Sequence, residues 1–335
     1  MFKNIYFIEK SNIKFNGDSL SSSKIRGAEK IIINLANQLA NLNFKVSVFN
    51  NTPIEKKIKN VNWFFINKIY TAEPPDILIA SSDASLLNNI KCKNKYLWSH
   101  SVQNLEKFIR KKQLFAFIRN KPIVVVDGEY HFKNRSFLTS PFGKIIVPLA
   151  VDDIFIHTKI SAEFIKNKIA IFTSQSYRNL SFLLECWDKI FKNSLNSQLL
   201  INPPYILSDS DKDINIKLRE MSSTENLIQD LLKSRVMLVP GHKGEVYCLA
   251  AEEARELCVP IVTMGYGCLK ERVIHGETGF IANSKIEFIK YSLSILNDDN
   301  LYNKLKSNLI KLRSIRTYKD VAKDFINKVS KNYKI

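Results

Sequence analysis

PGHKGEVYCLAAEEARELCVPIVT (Pro240–Thr263) is the segment that indicates the fold class of this chain most clearly. It follows the apolar run RVMLV, so it indicates the end of a strand, a glycine-bearing loop, a helix over Val246–Leu257 and then a second strand, PIVT. A strand, a helix and a strand in this order predict a βαβ unit of a parallel sheet. The start of such a helix presents unpaired N–H groups and the positive end of its dipole, which suits a diphosphate.

The same alternation of short apolar runs and amphipathic stretches extends over the whole chain. The first half holds a helix over Glu29–Leu42 and the strand candidates IYFI, KVSVF, VNWFFI, DILIA, KYLWS, KPIVVV and KIIVPL. The pattern restarts near Lys168 with the strands KIAIFT, QLLIN, RVMLVP and PIVTM, a short strand at Gly279–Ala282, and helices over Leu180–Phe191, Glu287–Asn297 and Leu301–Arg316. We therefore expect an α/β protein with two doubly wound, Rossmann-like domains, residues 1–160 and 161–335, facing each other across a cleft. The last helix can pack back on the first domain.

Two acidic residues of the segment Pro240–Thr263, Glu245 and Glu253, have seven residues between them. From the mouth of the helix, Glu245 would reach a sugar beyond the phosphates. Inside the helix, Glu253 could accept hydrogen bonds from ribose hydroxyls. The alternative is a solvated acidic helix face, because Glu252 and Glu256 are close by, and spacing alone favours this alternative.

This pair of residues, followed by Ala254 and Pro260, resembles the E-x7-E motif of the family 4 retaining glycosyltransferases, which have the GT-B fold. Further family segments are similar, in the same order, to RGAEKIIINLANQLANLNFKVSVF (Arg26–Phe49), IIVPLAVDDIF (Ile145–Phe155) and GYGCLKERVIHGETGFIA (Gly265–Ala282). The resemblance covers most of the chain. It implies a hexosyltransferase-like enzyme that moves a sugar, with net retention, from a nucleotide-diphosphate sugar to a glycan or lipid-linked acceptor. Bacterial envelope polysaccharide or lipopolysaccharide synthesis is the expected setting.

The resemblance also implies phosphate-binding residues. Gly27 matches a loop glycine whose backbone approaches the donor phosphates, whereas Arg26 replaces the glycine before it. Arg178, in SQSYRNLSFLL, matches a phosphate-binding lysine, and its guanidinium can grip phosphate oxygens in a bidentate way. Asn179 replaces a glycine there, and Ser174-Gln175 replaces Gly-Arg, so one family cation is missing.

Three further residues complete the implied site. Lys243 would add a cation from the facing loop. His100, at the carboxyl end of the strand KYLWS, matches a family histidine that points into the cleft. Glu271 matches an acidic residue that orients the sugar or holds Gly265–Gly267. Purely structural roles remain the alternative for Gly27, Arg178 and His100. The predicted catalytic residues are Glu245, His100 and Arg178, and the predicted donor-binding residues are Gly27, Arg178, Lys243, Glu245, Glu253 and Glu271.

We expect neither a metal nor a cofactor, because helix N–H groups and Arg178 can neutralise the departing diphosphate. Asp209-Ser210-Asp211 has the Asp-x-Asp form of a metal motif but lies in a polar loop, where solvation is the simpler interpretation. The five cysteines contain no C-x-x-C pair, and they fit buried, reduced thiols of a cytosolic protein.

The net charge of +18 raises the question of an anionic partner. Lys91–Lys121 holds nine basic residues and one acidic residue, and a helix there would place Leu105, Phe108, Ile109, Phe115 and Ile118 largely on one face. Such a helix is typical either of an anchor at an anionic membrane surface or of core packing with a solvated basic face. No nucleic-acid recognition motif accompanies the charge, so we expect no nucleic acid partner.

The ends of the chain and the choice of enzyme class complete the expectations. The N-terminus, MFKNIYFIEK, fits a first strand better than a signal peptide, and no apolar stretch approaches the roughly 20 residues of a membrane span. The expected location is the cytoplasm, with the membrane anchor placing the protein peripherally on the inner face. The alternatives to a glycosyltransferase are a sugar-nucleotide epimerase on the same fold and a degenerate, non-catalytic paralogue that only binds.

Overall fold

The computed structural model describes residues 3–21, 25–161, 167–220, 223–314 and 316–332. The chain divides into two compact units, the first taking in Met1–Ala150 and Arg316–Ile335 and the second taking in Val151–Ile315. The division therefore falls before the sequence-based boundary at residue 160. Its physical reason is that Val151 and Phe155 are buried in the hydrophobic core of the second unit.

The first unit is built, within the described residues, on an eight-stranded sheet of order β3-β4-β2-β1-β5-β6-β7-β8. Its strands are β1 (Asn4–Ile8), β2 (Lys45–Asn50), β3 (Lys56–Ile58), β4 (Val61–Phe65), β5 (Ile77–Ser81), β6 (Asn94–Trp98), β7 (Ile123–Val126) and β8 (Lys144–Ile146). All neighbours pair in parallel except β3 and β4. The helices are α1 (Gly27–Asn41), α2 (Leu105–Arg110), α3 (Leu114–Asn120) and α4 (Glu129–Asn134). The central strands are continuous apolar runs because helices cover both faces of a parallel sheet.

The second unit has, in the part of the chain that the structure describes, a six-stranded parallel sheet of order β11-β10-β9-β12-β13-β14. The strands are β9 (Ile169–Phe172), β10 (Gln198–Ile201), β11 (Ile216–Leu218), β12 (Val236–Leu238), β13 (Ile261–Thr263) and β14 (Gly279–Ile281). The helices are α5 (Asp153–His157), α6 (Leu180–Asn193), α7 (Asp209–Asp213), α8 (Thr224–Lys233), α9 (Leu249–Glu256), α10 (Lys285–Asn297) and α11 (Asp299–Lys311). Both sheets reverse their strand order in the middle, so the prediction of two doubly wound α/β domains is confirmed.

The chain then returns to the first unit as α12 (Tyr318–Asn332), which packs against α1. Phe325 of α12 stacks on Trp98 with ring centroids 5.5 Å apart and meets the Tyr96 ring edge-on at 5.7 Å. These aromatic contacts make α12 part of the first core. No helix in the described ranges is long and apolar enough to cross a bilayer.

The basic segment differs from the single helix expected for it. It forms α2 and α3, separated by a turn at Lys111–Gln113 in which Lys112 has a φ of 55°. Phe108 is buried and meets Phe117 edge-on at 5.1 Å, so it faces the core. The expected common face is therefore split, and the exposed large apolar side chains of this segment are Ile109, Phe115 and Ile118.

Candidate functional site

Two loops of the second unit meet where its sheet reverses order. β9 and β12 are neighbours in that sheet although they are not consecutive in the chain. Ligands of doubly wound sheets bind outside the carboxyl ends of the strands at this switch point. The loop after β9 carries Arg178, and the loop after β12 carries Glu245. Their side chains come together, with Arg178 Nη1 3.4 Å from Glu245 Oε1.

Asn179 links the same two loops. It precedes α6 with a φ of 64°, in the left-handed region that asparagine tolerates better than most residues other than glycine. Its side-chain Nδ2 donates a hydrogen bond to the carbonyl oxygen of Gly241 at 2.5 Å. Asn179 therefore adopts a left-handed conformation and joins the Arg178 and Glu245 loops through a hydrogen bond.

The Glu245 carboxylate is fixed on several sides. The His242 N–H donates to its Oε2 at 3.3 Å, and the Cys248 thiol donates to its Oε1 at 3.5 Å. The Glu245 carbonyl accepts a hydrogen bond from the Cys268 N–H at 3.0 Å. At Gly267, where φ is +65°, a Cβ would lie 2.6 Å from the His242 carbonyl oxygen and 2.7 Å from that of Glu245. Glycine is required there because two backbone segments approach so closely.

The Arg178–Glu245 pair leaves one donor without a hydrogen bond. Glu245 is only 4% exposed and the Arg178 side chain 21%. Arg178 Nη1 is buried and, within the described residues, makes no hydrogen bond, although it lies within ion-pair distance of Glu245. Buried donors are nearly always satisfied, so a donor left over in a loop at the switch point indicates a ligand that accepts hydrogen bonds.

The helix after Glu245 begins later than the sequence indicated. α9 starts at Leu249 instead of residue 246, because Cys248 adopts a left-handed conformation with a φ of 60°. Glu245 therefore lies in the preceding loop and not at the helix mouth. Lys243 is exposed in the same loop, and Glu253 is half-buried in the second turn of α9.

The acidic face of α9 is not solvated, contrary to the alternative that spacing alone favoured. Glu252 is buried and pairs with Arg272, with Nη1 2.7 Å from Oε1. Arg272 Nε also donates to the Tyr247 carbonyl oxygen at 2.8 Å, so the ion pair braces the turn between Glu245 and α9. Glu256 is also buried, and burial raises the pKa of its carboxyl. Glu271 is exposed at the end of a 3₁₀ turn, next to Arg272 in the chain.

In the first unit, a polar cluster surrounds Asp127, which follows β7 and was not identified from the sequence. The Trp98 Nε1–H donates to Asp127 Oδ1 at 2.7 Å, and His100 Nδ1 lies 3.3 Å from Asp127 Oδ2. An ionised carboxylate only accepts hydrogen bonds, so His100 donates to Asp127 through its Nδ1–H and its Nε2 is not used in this contact. His131 Nδ1 accepts from the Asp127 N–H at 3.3 Å, and its Nε2 lies 3.2 Å from the Ser101 carbonyl oxygen. Burial, above all, lowers the pKa of His131 to about 4, so His131 is neutral.

Gly27 and the residue before it occupy the entry to α1. Gly27 is the first helical residue, and Arg26 is the N-cap with a φ of −95° and a ψ of 175°. That extended conformation is open to any residue, so Arg26 stands before Gly27 without backbone strain.

The predicted site residues divide between the two units. Gly27 and His100 belong to the first, and the second holds Arg178, Lys243, Glu245, Glu253 and Glu271. Of these, Arg178 and Glu245 are in direct contact. Among the residues that the structure describes, no three His, Cys, Asp or Glu side chains form a group that could hold a metal ion.

Comparison with known proteins identifies the type of domain in part of the second unit and the fold of the chain. Residues 212–312 match the family model described as "Glycosyl transferases group 1". No curated protein sequence matches the chain. The solved structure of sucrose-phosphate synthase from Thermosynechococcus elongatus aligns with a TM-score of 0.74 at 14% identity over 99% of both chains. WaaG, described as a glycosyltransferase involved in lipopolysaccharide biosynthesis, gives 0.72 at 11% identity over 98% of this chain and 99% of its own. Anabaena HepE, solved with UDP-glucose, gives 0.70 at 14% identity over 98% and 99%.

At such identities the solved structures establish the fold, and the family match establishes the type of domain. The two doubly wound units are those of the GT-B fold. The group 1 match includes β12, the Glu245 loop and α9, so it contains one side of the Arg178–Glu245 contact. The chain is a glycosyltransferase of the GT-B fold.

Proposed function

We propose that the chain is a retaining, family 4 type glycosyltransferase that uses a nucleotide-diphosphate sugar and acts without a metal. The observation that carries the proposal is the Arg178 guanidinium, whose buried Nη1 makes no hydrogen bond among the described residues, held against Glu245 at the switch point of the second sheet. The solved structures of HepE with UDP and with UDP-glucose support a nucleotide sugar as donor. The spacing of Glu245 and Glu253, which resembles the family 4 motif, supports retention.

The proposed reaction transfers a glycosyl group between two oxygens. The bond between the anomeric carbon and the diphosphate oxygen breaks, and its electron pair stays on the diphosphate. A hydroxyl of the acceptor forms the new bond to the anomeric carbon, and its proton passes to the departing phosphate. Negative charge on the diphosphate grows during this step, and the Arg178 guanidinium stabilises it through charge-assisted hydrogen bonds. This supply of positive charge by the protein is the reason for proposing metal independence.

The acidic residues have separate proposed roles. Glu245 holds Arg178 in place and accepts hydrogen bonds from the sugar, and Glu253 accepts hydrogen bonds from the ribose hydroxyls. Lys243 adds a cation to the phosphate region, and Glu271 orients the sugar or holds the 3₁₀ turn that it ends. In the first unit, His100 is proposed to act on the reacting sugar through its Nε2, since Asp127 fixes the ring through Nδ1.

The acceptor is proposed to be a glycan or a lipid-linked saccharide of the bacterial envelope, and the location to be cytoplasmic. The description of WaaG as a lipopolysaccharide enzyme supports this setting. The experiment has two steps. A thermal-shift series with UDP-, GDP-, ADP- and CMP-sugars identifies the donor, because a ligand of the native state raises the unfolding temperature. Glycosyl transfer from that donor is then assayed with truncated envelope glycans.

The outcome of that assay separates the proposal from its rivals. Transfer with retained anomeric configuration, unaffected by EDTA, is expected. Inverted product would contradict the family 4 assignment, and conversion of the donor without an acceptor would indicate an epimerase. Glu245→Ala should lower turnover far more than it weakens binding of the free nucleotide, because its proposed partner is the sugar.

We also propose that the basic segment binds an anionic membrane surface peripherally. Phe115, 79% exposed, and Ile118 lie three residues apart on α3, so they project from the same side of that helix. Arg119 and Lys121 are exposed beside them. Apolar side chains surrounded by cations match the interface of an anionic bilayer.

Sedimentation with vesicles tests the membrane proposal. The wild type should bind vesicles that contain phosphatidylglycerol, less at high salt, and should not bind pure phosphatidylcholine. Phe115→Ser with Ile118→Ser should abolish this binding. Ile206→Ser, which removes an even more exposed apolar side chain from the second unit, should leave it unchanged. Equal binding by all three proteins would show that bulk charge, and not this segment, is responsible.

A further inference from the structure

Glu9 occupies the switch point of the first sheet. It directly follows β1, and its N–H donates to the Phe49 carbonyl oxygen at 3.1 Å, which continues the pairing with β2. The order of the sheet reverses at β1, since β2 lies on one side of it and β5 on the other. The carboxyl end of this strand is therefore the place where a doubly wound sheet binds a ligand.

The Glu9 carboxylate is buried but only partly satisfied. Glu9 is 8% exposed, and its carboxylate accepts a hydrogen bond from the Ser11 N–H. Its Oε2 is buried and has no hydrogen-bond partner among the described residues. Leaving a buried acceptor unpaired is unfavourable, so such an atom at a ligand-binding edge indicates a donor that arrives with the ligand.

The neighbouring carboxylate, Glu29 of α1, is by contrast fully engaged. The Ser11 hydroxyl donates to Glu29 Oε1 at 3.0 Å, and the Arg26 N–H donates to Glu29 Oε2 at 3.1 Å. Glu29 therefore contributes negative charge beside Glu9 without needing a ligand itself. An anionic group would be repelled from this position by the two carboxylates.

Positive charge near Glu9 is already supplied by the protein. The Arg26 guanidinium and the His100 imidazole lie close enough to favour its ionised form. Burial and then Glu29 act in the opposite direction and raise the pKa of Glu9 to about 7. The carboxylates of Glu9 and Glu29 are thus accompanied by Arg26 and His100. Because these opposite charges offset each other, a neutral hydroxyl fits the position better than either an ammonium or a phosphate group.

We propose that Glu9 Oε2 accepts a hydrogen bond from a hydroxyl of the acceptor saccharide and so selects an uncharged sugar at this end of the first unit. Glu9 is thus a binding and specificity residue of the acceptor site, beside His100. This inference rests on the proposed function, since it gives that reaction its acceptor contact. The ionised form accepts the hydrogen bond, so binding strengthens as the pH rises through 7 and weakens as Glu9 is protonated.

Ligand-observed NMR on the full chain with UDP tests this directly. The probes are methyl α-D-glucopyranoside and methyl α-D-galactopyranoside, neutral glycosides, and glucose 6-phosphate, an anionic sugar. At pH 8.5 at least one neutral glycoside should show saturation transfer with the wild type. In Glu9→Gln and Glu9→Ala this signal should fall at least fivefold. Glu129→Gln, which neutralises an exposed carboxyl just after Asp127 at the same sheet edge, should keep the signal.

The pH dependence separates Glu9 from the groups around it. The wild-type signal should decrease several-fold between pH 8.5 and pH 6, and the weaker signal of Glu9→Gln should not vary with pH. A pH dependence that persists in Glu9→Gln would assign the effect to His100 and overturn the proposal. No neutral glycoside bound by the wild type, or stronger binding of glucose 6-phosphate, would overturn it as well. UDP affinity, measured in the same samples, reports on the second unit. If the wild type does not bind UDP, that result counts against the proposed function and not against the role of Glu9.

Discussion

Replacing Arg178 tests the proposed donor site where the chain departs from the family pattern. The arginine that the family places before this position is absent, so one guanidinium has more of the diphosphate to stabilise. Arg178→Ala removes both its charge and its donors, and Arg178→Lys keeps the charge but loses the planar fork. Because charge on the phosphates grows as the glycosidic bond breaks, the loss should appear in kcat more than in KM.

The structure separates two effects of this substitution. Removing one preorganised donor from a transition state costs about 100-fold or more in kcat, which is roughly 2.7–4 kcal/mol. Removing the cation 3.4 Å from Glu245, which is 4% exposed, also leaves a buried carboxylate without its ion-pair partner. That second effect should lower the free energy of unfolding by about 1–3 kcal/mol. The lysine variant should lie between alanine and wild type in kcat.

A double variant distinguishes the two effects. In Arg178→Ala with Glu245→Gln, the unpaired charge is gone, so the free energy of unfolding measured in urea should recover while kcat stays low. Steady-state kinetics with the nucleotide sugar and circular dichroism of the folded protein complete the assay. A correctly folded alanine variant with a kcat within a few-fold of wild type would contradict a phosphate-binding role for Arg178. Arg178 would then be a surface residue of a helix start, and the phosphate role would pass to Lys243.

Four other outcomes are expected. Glu253→Ala should weaken nucleoside diphosphate binding in calorimetry by roughly 1.5–3 kcal/mol, because a charge-assisted hydrogen bond is lost; unchanged affinity would remove the ribose assignment. Gly267→Ala should lower the free energy of unfolding in urea by roughly 2–4 kcal/mol, because its Cβ would meet two backbone carbonyl oxygens. Gly143→Ala, also at positive φ but with open space around it, should lower the free energy of unfolding by less. Glycosyl transfer should persist in EDTA, and a complete loss restored only by Mn²⁺ or Mg²⁺ would contradict metal independence. The last outcome concerns His131 and is measured in Glu9→Gln, which lacks the Glu9 carboxyl with its pKa of about 7. The pKa of His131 is lowered to about 4 in the folded chain, so the unfolded chain takes up the proton first and the free energy of unfolding should fall by up to about 3 kcal/mol between pH 6.5 and pH 4. A flat profile would argue against a buried neutral His131.

The strands were predictable because a parallel sheet covered on both faces needs uninterrupted apolar runs, and β1, β5 and β7 have them. β3 and β11 were not predicted from the sequence, because each is an edge strand with one buried residue, Ile58 in β3 and Ile216 in β11. An edge strand that buries so little carries no periodic signal.

The details of the site depended on long-range contacts that a local pattern does not contain. The apolar residues from Val246 continue a helical spacing, yet Arg272 holds the Tyr247 carbonyl and the chain turns before α9 begins. The burial of Glu252 likewise requires Arg272, far along the sequence. Glu9 could have been found from one signal, an acidic residue directly after a central strand, and Asp127 after β7 gives the same signal.

The return of the chain to the first unit has a consequence for the order of folding during synthesis. The second unit is one continuous stretch, so all of its residues are available as soon as residue 315 has left the ribosome. The first unit, although it begins at the N-terminus, needs α12 to cover Trp98 and Tyr96 with the Phe325 ring. Until then, the Phe325 ring is missing from these two aromatic side chains of its sheet. The half of the protein that is made first is therefore the half that is completed last, and a nascent chain stalled within α12 would expose the core of the first unit while the second is already whole.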